Sequence, residues 1–443
     1  MRYRFIILTS LLGLGLCREV RSQAIPDAQI FRRCARALTD VIVHDITPPP
    51  VASRDYVYPM IAAYEAARPG DSAHDSFAGK LNGLTDLPKP EAGQKYDWLV
   101  AGTTAFYNTA YAFVFTKSLF RQYWDPIDSE LRERPVEPDV YARSVAYGQR
   151  IAARILDWSK QDHYIETRSM PRFTPGGKPG TWQQTGPEYM EAVEPYWNYI
   201  RTMTLSRPDQ FLIPEPASFT SQRFADERKE VSETGKHLTD EERACAAFWD
   251  CNPFAVTTVG HLVYSVKKIS PGGHWIGVTG MVIGLEKQPL VPALYSYCLV
   301  SIALFDGFIA AWDEKYRTNY IRPVTAIQQA GLPLWQPMLQ TPPFPEYPSA
   351  HSVISMAVAV VLTGLYGDHY HYTDVTEEPY GLPGRKFASF MQAASEAAIS
   401  RLYGGIHFRE AIENGSQLGL EIGNQIVRRF DLHPVGPHPP ITP

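Results

Sequence analysis

Residues 344–366 read FPEYPSAHSVISMAVAVVLTGLY, and a polar Pro-Ser-Ala-His segment there meets a run of mostly apolar residues. Ser349 is a favourable helix N-cap, and the free N–H groups of Ala350 and His351 would project from the start of the helix that follows. The N-terminus of a helix attracts anions. The stretch therefore predicts a buried helix over 349–366 whose first turn contributes to an anion site.

Apolar residues recur at a spacing of three to four along most of the 443 residues, which is typical of amphipathic and buried helices. Thr239 and Glu242 form a capping box at the start of one such segment. The pattern predicts helices over 56–67, 95–123, 139–160, 239–250, 274–287, 292–321, 349–366, 384–401 and 407–430. No segment shows the sustained alternation of a strand. The predicted fold is all-α, with helical bundles in two halves and the oxyanion site in the C-terminal bundle.

We predict four parts along the chain. They are a signal peptide over 1–24, an N-terminal helical half over 25–220, a helical bundle with the site over 221–431, and a Pro-rich tail over 432–443. A Pro/Gly-rich stretch from about 160 to 220 predicts a long loop region. A connector between the halves is favoured over a lid or a pocket wall.

The first 24 residues have signal-peptide architecture. Arg2 and Arg4 precede a short apolar stretch that ends in small residues near Ala24, so we expect cleavage there and export to the periplasm or the medium. A buried N-terminal helix is the alternative. The apolar runs 289–305 and 353–366 are interrupted or too short to span a bilayer, which argues against an integral membrane protein.

The net charge of −5 and the lack of Lys/Arg-rich runs make nucleic acid a poor candidate partner, so a small molecule is expected. Four cysteines remain beyond the signal peptide, namely Cys34, Cys245, Cys251 and Cys298. Cys245 and Cys251 are the candidate disulfide pair, and buried free thiols are the alternative. No Cys/His group has zinc-site spacing along the chain.

Cationic side chains occur on both sides of the 344–366 stretch. Lys315 and Arg322 are seven residues apart, which would place them on one helix face beside Trp312. A solvated basic stripe is the alternative for these residues. Arg401 and His407 flank Gly404-Gly405, and they can converge only if the glycines break the helix. With Ser349, the set provides what a tetrahedral oxyanion requires, and phosphate and vanadate both qualify.

Three ordered blocks in the sequence carry a resemblance to known enzymes. Lys315 with Arg322-Pro323, then Pro348-Ser349-Ala350-His351, then Ser400-Arg401 with His407, are similar to the signature shared by vanadium-dependent haloperoxidases and the phosphatidic acid phosphatase type 2 superfamily. The motif region covers about 312–408, and the first half of the chain resembles these enzymes only in being helical.

The resemblance implies a role for each matched residue. Lys315, Arg322 and Arg401 would neutralise the oxyanion, and Ser349 with the N–H of Ala350 would hydrogen-bond to it. His407 would be the axial ligand of vanadium in a peroxidase, or the nucleophile of a phosphatase that forms a phosphohistidine. His351 would be the general acid/base, and the ordinary pKa of histidine, near neutrality, suits that role. Trp312 and Phe344 would line a halide pocket.

The chain departs from the signature at two positions. Ala350 stands where glycine is usual. The fourth residue after His407 is Ala411, where the phosphatase pattern has an aspartate that orients the histidine. Glu410 is either its replacement or a surface residue. A nucleophile without an orienting carboxylate suffers more than a metal ligand does, which disfavours the phosphatase.

The sequence therefore predicts an exported vanadate-dependent haloperoxidase that uses hydrogen peroxide and a halide, with or without an organic acceptor. The alternative is an exported acid phosphatase that needs no cofactor. A non-catalytic oxyanion binder is a third hypothesis. A homodimer is compatible with the sequence, which does not fix the oligomeric state. His261 and His274 could line the same cavity, although a helix-start or core role is favoured for both.

Overall fold

The structure is a computed structural model that describes residues 25–433. The predicted signal peptide and nearly all of the Pro-rich tail lie outside the described residues. The described part contains fourteen α-helices: α1 Asp27–His44, α2 Pro49–Ala67, α3 Trp98–Phe113, α4 Lys117–Arg132, α5 Pro138–Ser159, α6 Tyr164–Thr167, α7 Gln222–His237, α8 Asp240–Phe248, α9 Pro271–Leu285, α10 Leu290–Thr318, α11 Pro323–Gln329, α12 Ala350–Tyr366, α13 Phe390–Tyr403 and α14 Arg409–Arg429.

The helical fold class is confirmed, with differences in detail. The predicted helix over 95–123 is two helices, α3 and α4, because the chain is extended at Val114 between them. α1 and α7 were not predicted. α7 buries only Phe224, Val231 and Ser232, so its apolar pattern is sparse, whereas α1 has a regular apolar face that was sufficient to predict it.

Two short antiparallel hairpins accompany the helices. β1 Val256–Val259 pairs with β2 Leu262–Ser265, and β3 Tyr372–Asp374 pairs with β4 Arg385–Phe387. The predicted helix over 384–401 therefore begins only at Phe390, after β4. Strands of three or four residues are too short for the alternation rule to detect.

Helix α10 is the central element of the fold. It packs against α2 from the first half of the chain and against α9, α12 and α14 from the second, so the hydrophobic core is continuous between the two halves. Its most apolar window has a mean hydropathy of 1.7, enough to cross a membrane by composition, but 94% of that window is buried inside the protein. The prediction of a buried bundle helix is confirmed.

Asp306 is an acidic residue in the middle of the otherwise apolar α10, and its side chain is fully buried. Its carboxylate accepts hydrogen bonds from the N–H of Met203 at 2.6 Å and from the N–H and hydroxyl of Thr204 at 2.8 and 2.6 Å. A buried carboxylate is stable when such donors replace its water. Asp306 thus fixes the loop at Met203 and Thr204 to α10. Only α6 and a single 3₁₀ turn interrupt the chain between residues 160 and 220.

The close approach of α12 and α14 positions the site. A side chain at Gly419 would place its Cβ 2.2 Å from the carbonyl oxygen of Val353, so only glycine allows this spacing. Near the start of the pair, the N–H of Ser349 donates to the carbonyl of Ala411 at 2.9 Å. The packing therefore places the first turn of α12 beside the first turn of α14.

All four cysteines of the described residues are free and buried. The predicted pairing of Cys245 with Cys251 is wrong, and the alternative of buried free thiols is confirmed. The physical reason is orientation, because the sulfur of Cys245 faces the carbonyl of Glu396, while that of Cys251 faces His274.

Candidate active site

A cavity of about 50 Å³ lies at the first turn of α12. Such a volume has room for a few water molecules or one tetrahedral oxyanion. Six of the predicted site residues line its wall: Trp312, Phe344, Ala350, His351, Arg401 and His407. Three others, Lys315, Arg322 and Ser349, lie just behind the wall.

The glycine turn between α13 and α14 brings Arg401 and His407 to the same cavity. α13 ends at Tyr403 and Gly404 caps it. Gly405 has φ +74°, a left-handed conformation that side-chain-bearing residues rarely adopt, and a Cβ there would approach Pro337 and Trp335 to 3.1–3.2 Å. The predicted break of the helix at the glycines is confirmed.

His407 is oriented by a carboxylate, and that carboxylate belongs to Glu346. The Nδ1 of His407 donates to Glu346 Oε1 at 2.8 Å, and the same oxygen accepts the N–H of Phe408 at 2.9 Å. This contact leaves Nε2 unprotonated, and Nε2 lies 3.3 Å from the Nη1 of Arg322. Burial lowers the pKa of His407 well below its usual range, and the charges of Arg322 and Lys315 lower it further.

The inference that His407 lacks an orienting group is therefore wrong. Ala411 contributes only its backbone carbonyl, and Glu410 neither replaces it nor lies on the surface. Glu410 is buried, where it accepts the N–H of Ala217 at 3.1 Å and pairs with Arg223 at 2.8 Å. The sequence did contain a signal for this contact. Glu346 is an acidic residue inside the mostly apolar segment FPEYPSAH, and a buried carboxylate needs a specific partner.

Lys315 and Arg322 converge, but not for the predicted reason. α10 ends at Thr318, Asn319 adopts a left-handed conformation with φ 46°, and Arg322 precedes α11 in extended backbone. They therefore do not share one helix face. They meet at Phe344, whose ring centroid lies 5.1 Å from Lys315 Nζ and 5.0 Å from the Arg322 guanidinium carbon. The alternative of a solvated stripe is wrong for both, because both are fully buried.

Lys315 shapes the loop that precedes α12. Its ammonium group donates to the carbonyl oxygens of Pro345 and Glu346 at 2.9 Å and of Pro348 at 2.5 Å. All three of its N–H groups are thus used on backbone. Burial and the neighbouring Arg322 hold the pKa of Lys315 well below its usual range, although Glu346 opposes them.

The glutamate between these cations is also buried. Burial raises the pKa of Glu346 to about 8, although the positive charges of Arg322 and Lys315 lower it. Through Oε1, its carboxyl group holds His407 in one orientation.

The start of α12 has the predicted cap. Ser349 Oγ accepts the N–H of Ser352 at 3.3 Å and the hydroxyl of Ser352 at 2.8 Å. The N-cap prediction is confirmed. Ala350, in the first turn, lies on the cavity wall with 6% of its surface exposed.

His351 is the histidine whose ring nitrogen is left open at the cavity. Its Nε2 is buried without a hydrogen-bond partner among residues 25–433, and its ring lies edge-on to Trp249 with centroids 6.1 Å apart. Burial lowers the pKa of His351 well below its usual range, with smaller effects of Arg401 and His274. The expectation of a near-neutral pKa is wrong for this state of the site, so His351 is uncharged at neutral pH.

The polar atoms around the cavity fit an oxyanion. Arg401 is buried, and its Nη2 donates to the Trp249 carbonyl at 2.6 Å. Arg322 Nη2, like His351 Nε2, is buried without a partner in the described part of the chain. Arg322 Nη2 is a buried donor that requires an acceptor, and His351 Nε2 faces the cavity as an open ring nitrogen. A tetrahedral oxyanion supplies acceptor oxygens, and the three cations favour its negative charge.

Two aromatic side chains also line the cavity. The rings of Trp312 and Phe344 contact each other with centroids 4.9 Å apart, and the indole N–H donates to the carbonyl of Val193 at 3.1 Å. Both side chains are buried, so they serve core packing and line the cavity together.

Two further histidines lie away from the cavity wall. His274 is fully buried and hydrogen-bonded in the first turn of α9, as expected. His261 is exposed at the turn between β1 and β2, so the helix-start or core role expected of it is wrong. Within the described chain, no residue from 160 to 220 lines this cavity.

The chain is similar in sequence to one group of known proteins. A family model described as the VCPO second helical-bundle domain matches residues 295–434, which include every predicted site residue. The vanadium chloroperoxidase of Curvularia inaequalis is 26% identical over 164 residues, covering 26% of this chain and 27% of that protein. The matched part thus spans about a quarter of that relative's length.

Solved structures extend the similarity to nearly the whole chain. The first bacterial vanadium-dependent iodoperoxidase is 39% identical with a TM-score of 0.86, and the match covers 93% of this chain and 98% of that one. The holo form of a bacterial vanadium-dependent chloroperoxidase is 17% identical, and the match covers 87% of this chain and 92% of that one. The apo form is 16% identical, and the match covers 87% of this chain and 94% of that one. Both have a TM-score of 0.64. At that identity they support the fold alone.

Proposed function

This chain belongs to the vanadium-dependent haloperoxidase family, and we propose that it oxidises iodide with hydrogen peroxide, with vanadate held in the cavity at the start of α12. The observation that carries this proposal is the group formed by His407, oriented by Glu346 at 2.8 Å, together with His351 and Arg401 around one small cavity. Its residues supply an aimed nitrogen ligand, a proton acceptor and a cation.

The residues that would hold vanadate follow from their free atoms. His407 Nε2 carries the lone pair that the contact with Glu346 leaves open, and Arg322 Nη2 is a buried donor without a partner in the described chain. Arg401 donates from the cavity wall, and the charge of Lys315 acts from behind it. When bound there, vanadate supplies a Lewis-acidic centre that activates hydrogen peroxide toward a halide.

His351 is proposed to move the protons. Its uncharged Nε2 accepts a proton from hydrogen peroxide that enters the cavity and returns it as hypohalous acid leaves. An anion bound in the cavity would offset the effect of Arg401 and raise the pKa of His351, which burial lowers. The residue then titrates closer to neutrality, as proton exchange requires.

The aromatic side of the cavity is proposed to receive the halide. Trp312 and Phe344 exclude water there, and ring edges carry the partial positive charge that attracts an anion. Iodide is the most weakly hydrated of the common halides and the easiest to oxidise, so it enters such an apolar pocket at the lowest cost. The relative that is 39% identical, described as an iodoperoxidase, supports the same choice.

The halide assignment is tested by direct comparison. The purified protein, loaded with orthovanadate, is assayed with hydrogen peroxide and equal concentrations of iodide, bromide or chloride, with halogenation of a diketone and formation of triiodide as readouts. Turnover should be highest with iodide and undetectable with chloride. Bromide or chloride turnover at or above that of iodide would reject the assignment.

A phosphatase activity of the same site is the second candidate. It is favoured by the contact between Glu346 and His407, which supplies the orienting carboxylate that a phosphorus nucleophile needs. His407 Nε2 would attack the phosphorus, and His351 would protonate the leaving alkoxide. We expect slow hydrolysis of p-nitrophenyl phosphate that vanadate blocks. Hydrolysis faster than iodide oxidation would make the phosphatase the main activity.

Export of the chain is proposed from residues 1–24 alone, whose basic start and short apolar stretch are typical of a signal peptide. The test is fractionation followed by N-terminal sequencing. A periplasmic or secreted protein that begins near Ile25 supports export, and an intact Met1 in the cytoplasmic fraction rejects it.

A further inference from the structure

Cys251, His274 and Glu377 meet at the wall of the cavity, which Cys251 lines. They come from the segment after α8, the first turn of α9 and the turn after β3, and all three are buried. The sulfur of Cys251 lies 3.5 Å from His274 Nδ1 and 3.8 Å from Glu377 Oε1, and Nδ1 lies 3.1 Å from Oε1. Three atoms that commonly bind metals thus form a small triangle.

The size of this triangle matches a tetrahedral metal site. Zinc bonds of about 2.3 Å to sulfur, about 2.05 Å to nitrogen and about 2.1 Å to oxygen place the ligand atoms about 3.6 Å (S–N), 3.4 Å (N–O) and 3.6 Å (S–O) apart at tetrahedral angles. The observed separations of 3.5, 3.1 and 3.8 Å agree to within about 0.3 Å. An ion could therefore be bound with little movement of the side chains.

The surroundings of His274 are those of a metal ligand. Its Nε2 donates to Asp374 Oδ2 at 2.7 Å, and the other oxygen of Asp374 accepts the N–H and the hydroxyl of Thr376 at 2.9 and 2.6 Å. A carboxylate on one ring nitrogen fixes the tautomer and leaves the lone pair of the other nitrogen available. That nitrogen, Nδ1, is the one that faces Cys251 and Glu377.

The charge balance also calls for a cation. Within residues 25–433, Asp374 and Glu377 each form an ion pair with His274, and neither forms one with a lysine or an arginine. Two buried carboxylates and a thiol thus share one imidazole. Buried negative charges are stable when they are paired or when they bind a metal ion.

We propose that Cys251, His274 and Glu377 bind one divalent transition-metal ion, with zinc favoured by the sulfur, nitrogen and oxygen ligand set. Cys251 releases its thiol proton to solvent as the sulfur–metal bond forms, so the bound state contains the thiolate. A water molecule completes the tetrahedron. This site uses none of the residues proposed to hold vanadate and does not rest on the halide activity.

The metal would stabilise the cavity wall. Trp249 stacks on His274 with ring centroids 4.6 Å apart, and its carbonyl accepts the hydrogen bond of Arg401 at 2.6 Å. Cys251 itself lines the cavity two residues later. The ion would thus tie this segment to α9 and to the β3–β4 hairpin, and would hold Arg401 indirectly in position.

The test is metal analysis of the full chain, purified without a metal-binding tag and without vanadate. After equilibration with zinc and dialysis against zinc-free buffer, we expect one zinc ion per chain. Cys251→Ala and His274→Gln should lose it. Cys245→Ser is the matched control, because it alters a buried thiol that faces the carbonyl of Glu396, and it should retain the ion.

A second measurement covers the case in which the variants do not fold. Cobalt is exchanged into the wild-type protein, and thiolate-to-cobalt charge-transfer absorption, with X-ray absorption at the metal edge, reports the ligands. Sulfur with nitrogen and oxygen neighbours supports the site. Coordination without sulfur, equal zinc in the variants, or no zinc in the wild-type protein would overturn it and leave a hydrogen-bonded cluster with a proton on His274. No result depends on haloperoxidase activity.

Discussion

His407 and Glu346 are joined by a hydrogen bond of 2.8 Å between Nδ1 and Oε1, although they are 61 residues apart in the chain. The carboxylate comes from the loop before α12, whereas the family signature of the phosphatases takes it from the helix after the histidine. The contact fixes the ring so that Nε2 is the nitrogen available at the cavity.

Glu346→Gln should weaken vanadate binding, because the glutamine amide is a neutral and weaker acceptor for Nδ1–H. Loss of such a partner to a metal-binding histidine costs about 10- to 100-fold in affinity. The measurement is iodide oxidation as a function of orthovanadate concentration. Glu346→Asp, which keeps a carboxyl group as the acceptor, should restore part of the affinity.

Glu410→Gln is the matched control for that experiment. Glu410 is also a buried glutamate near His407, but it contacts Ala217 and Arg223 instead. Its substitution should reduce stability and leave the vanadate affinity unchanged. Equal losses of affinity in the two variants would mean that Glu346 has no orienting role.

The two histidines should separate binding from turnover. His407→Ala removes the proposed vanadium ligand and should abolish tight vanadate binding, as measured by dialysis and vanadium analysis. His351→Ala should retain the bound vanadate and lose turnover, since its Nε2 serves only proton transfer. Full vanadate affinity in His407→Ala would contradict the ligand assignment.

Arg401→Ala should weaken vanadate and phosphate alike, because the side chain contributes charge rather than metal ligation. A charge-assisted hydrogen bond of about 1.5–3 kcal/mol corresponds to roughly 10- to 100-fold in affinity. Calorimetric titration of both anions gives the two factors. Arg409→Ala is the control, because it alters a half-buried arginine paired with Glu230, and it should leave both affinities unchanged. If Arg401→Ala lost affinity for only one of the two anions, that result would argue against a shared site.

The low pKa of His351 predicts a specific pH dependence of stability. The unfolded chain takes up a proton at this histidine near pH 6.5, whereas the folded chain does so only at lower pH. The unfolded state therefore binds more protons below about pH 6.5, and the stability contributed by an uncharged His351 is lost as the pH falls through that window.

Denaturant unfolding of the wild-type protein and of His351→Gln tests this dependence. Between pH 6.5 and lower pH, the wild type should lose up to about 1.4 kcal/mol per pH unit more than the variant. Added phosphate should reduce the difference, since a bound anion stabilises the charged imidazole. Parallel curves for the two proteins would show that His351 has an ordinary pKa.

The sequence predicted the parts of the site that depend on local spacing. Ser349 as N-cap and the break at Gly404-Gly405 follow from backbone preferences over a few residues, and both are confirmed. Lys315 and Arg322 were assigned to one helix, but the left-handed Asn319 ends α10 three residues before the predicted end at 321. Apolar periodicity does not fix the residue at which a helix ends.

The remaining features depend on tertiary contacts. Glu346 lies near His407 only because α12 and α14 pack together, and Cys251, His274 and Glu377 come from three distant segments. The spacing rules for metal sites and disulfides apply to neighbours in sequence, which is why the cysteine pair was wrongly predicted and the three-residue group was not found. The similarity of the motif blocks to a known family, rather than periodicity, identified the chemistry.

The central claim is that vanadate in this cavity makes the protein a haloperoxidase. One purified sample, freed of phosphate, is divided, and only one half receives orthovanadate before both are assayed for peroxide-dependent iodide oxidation. Oxidation should require vanadate and should decline as phosphate competes for the cavity. Bound vanadate without oxidation of any halide, together with hydrolysis of p-nitrophenyl phosphate in the untreated half, would contradict the claim.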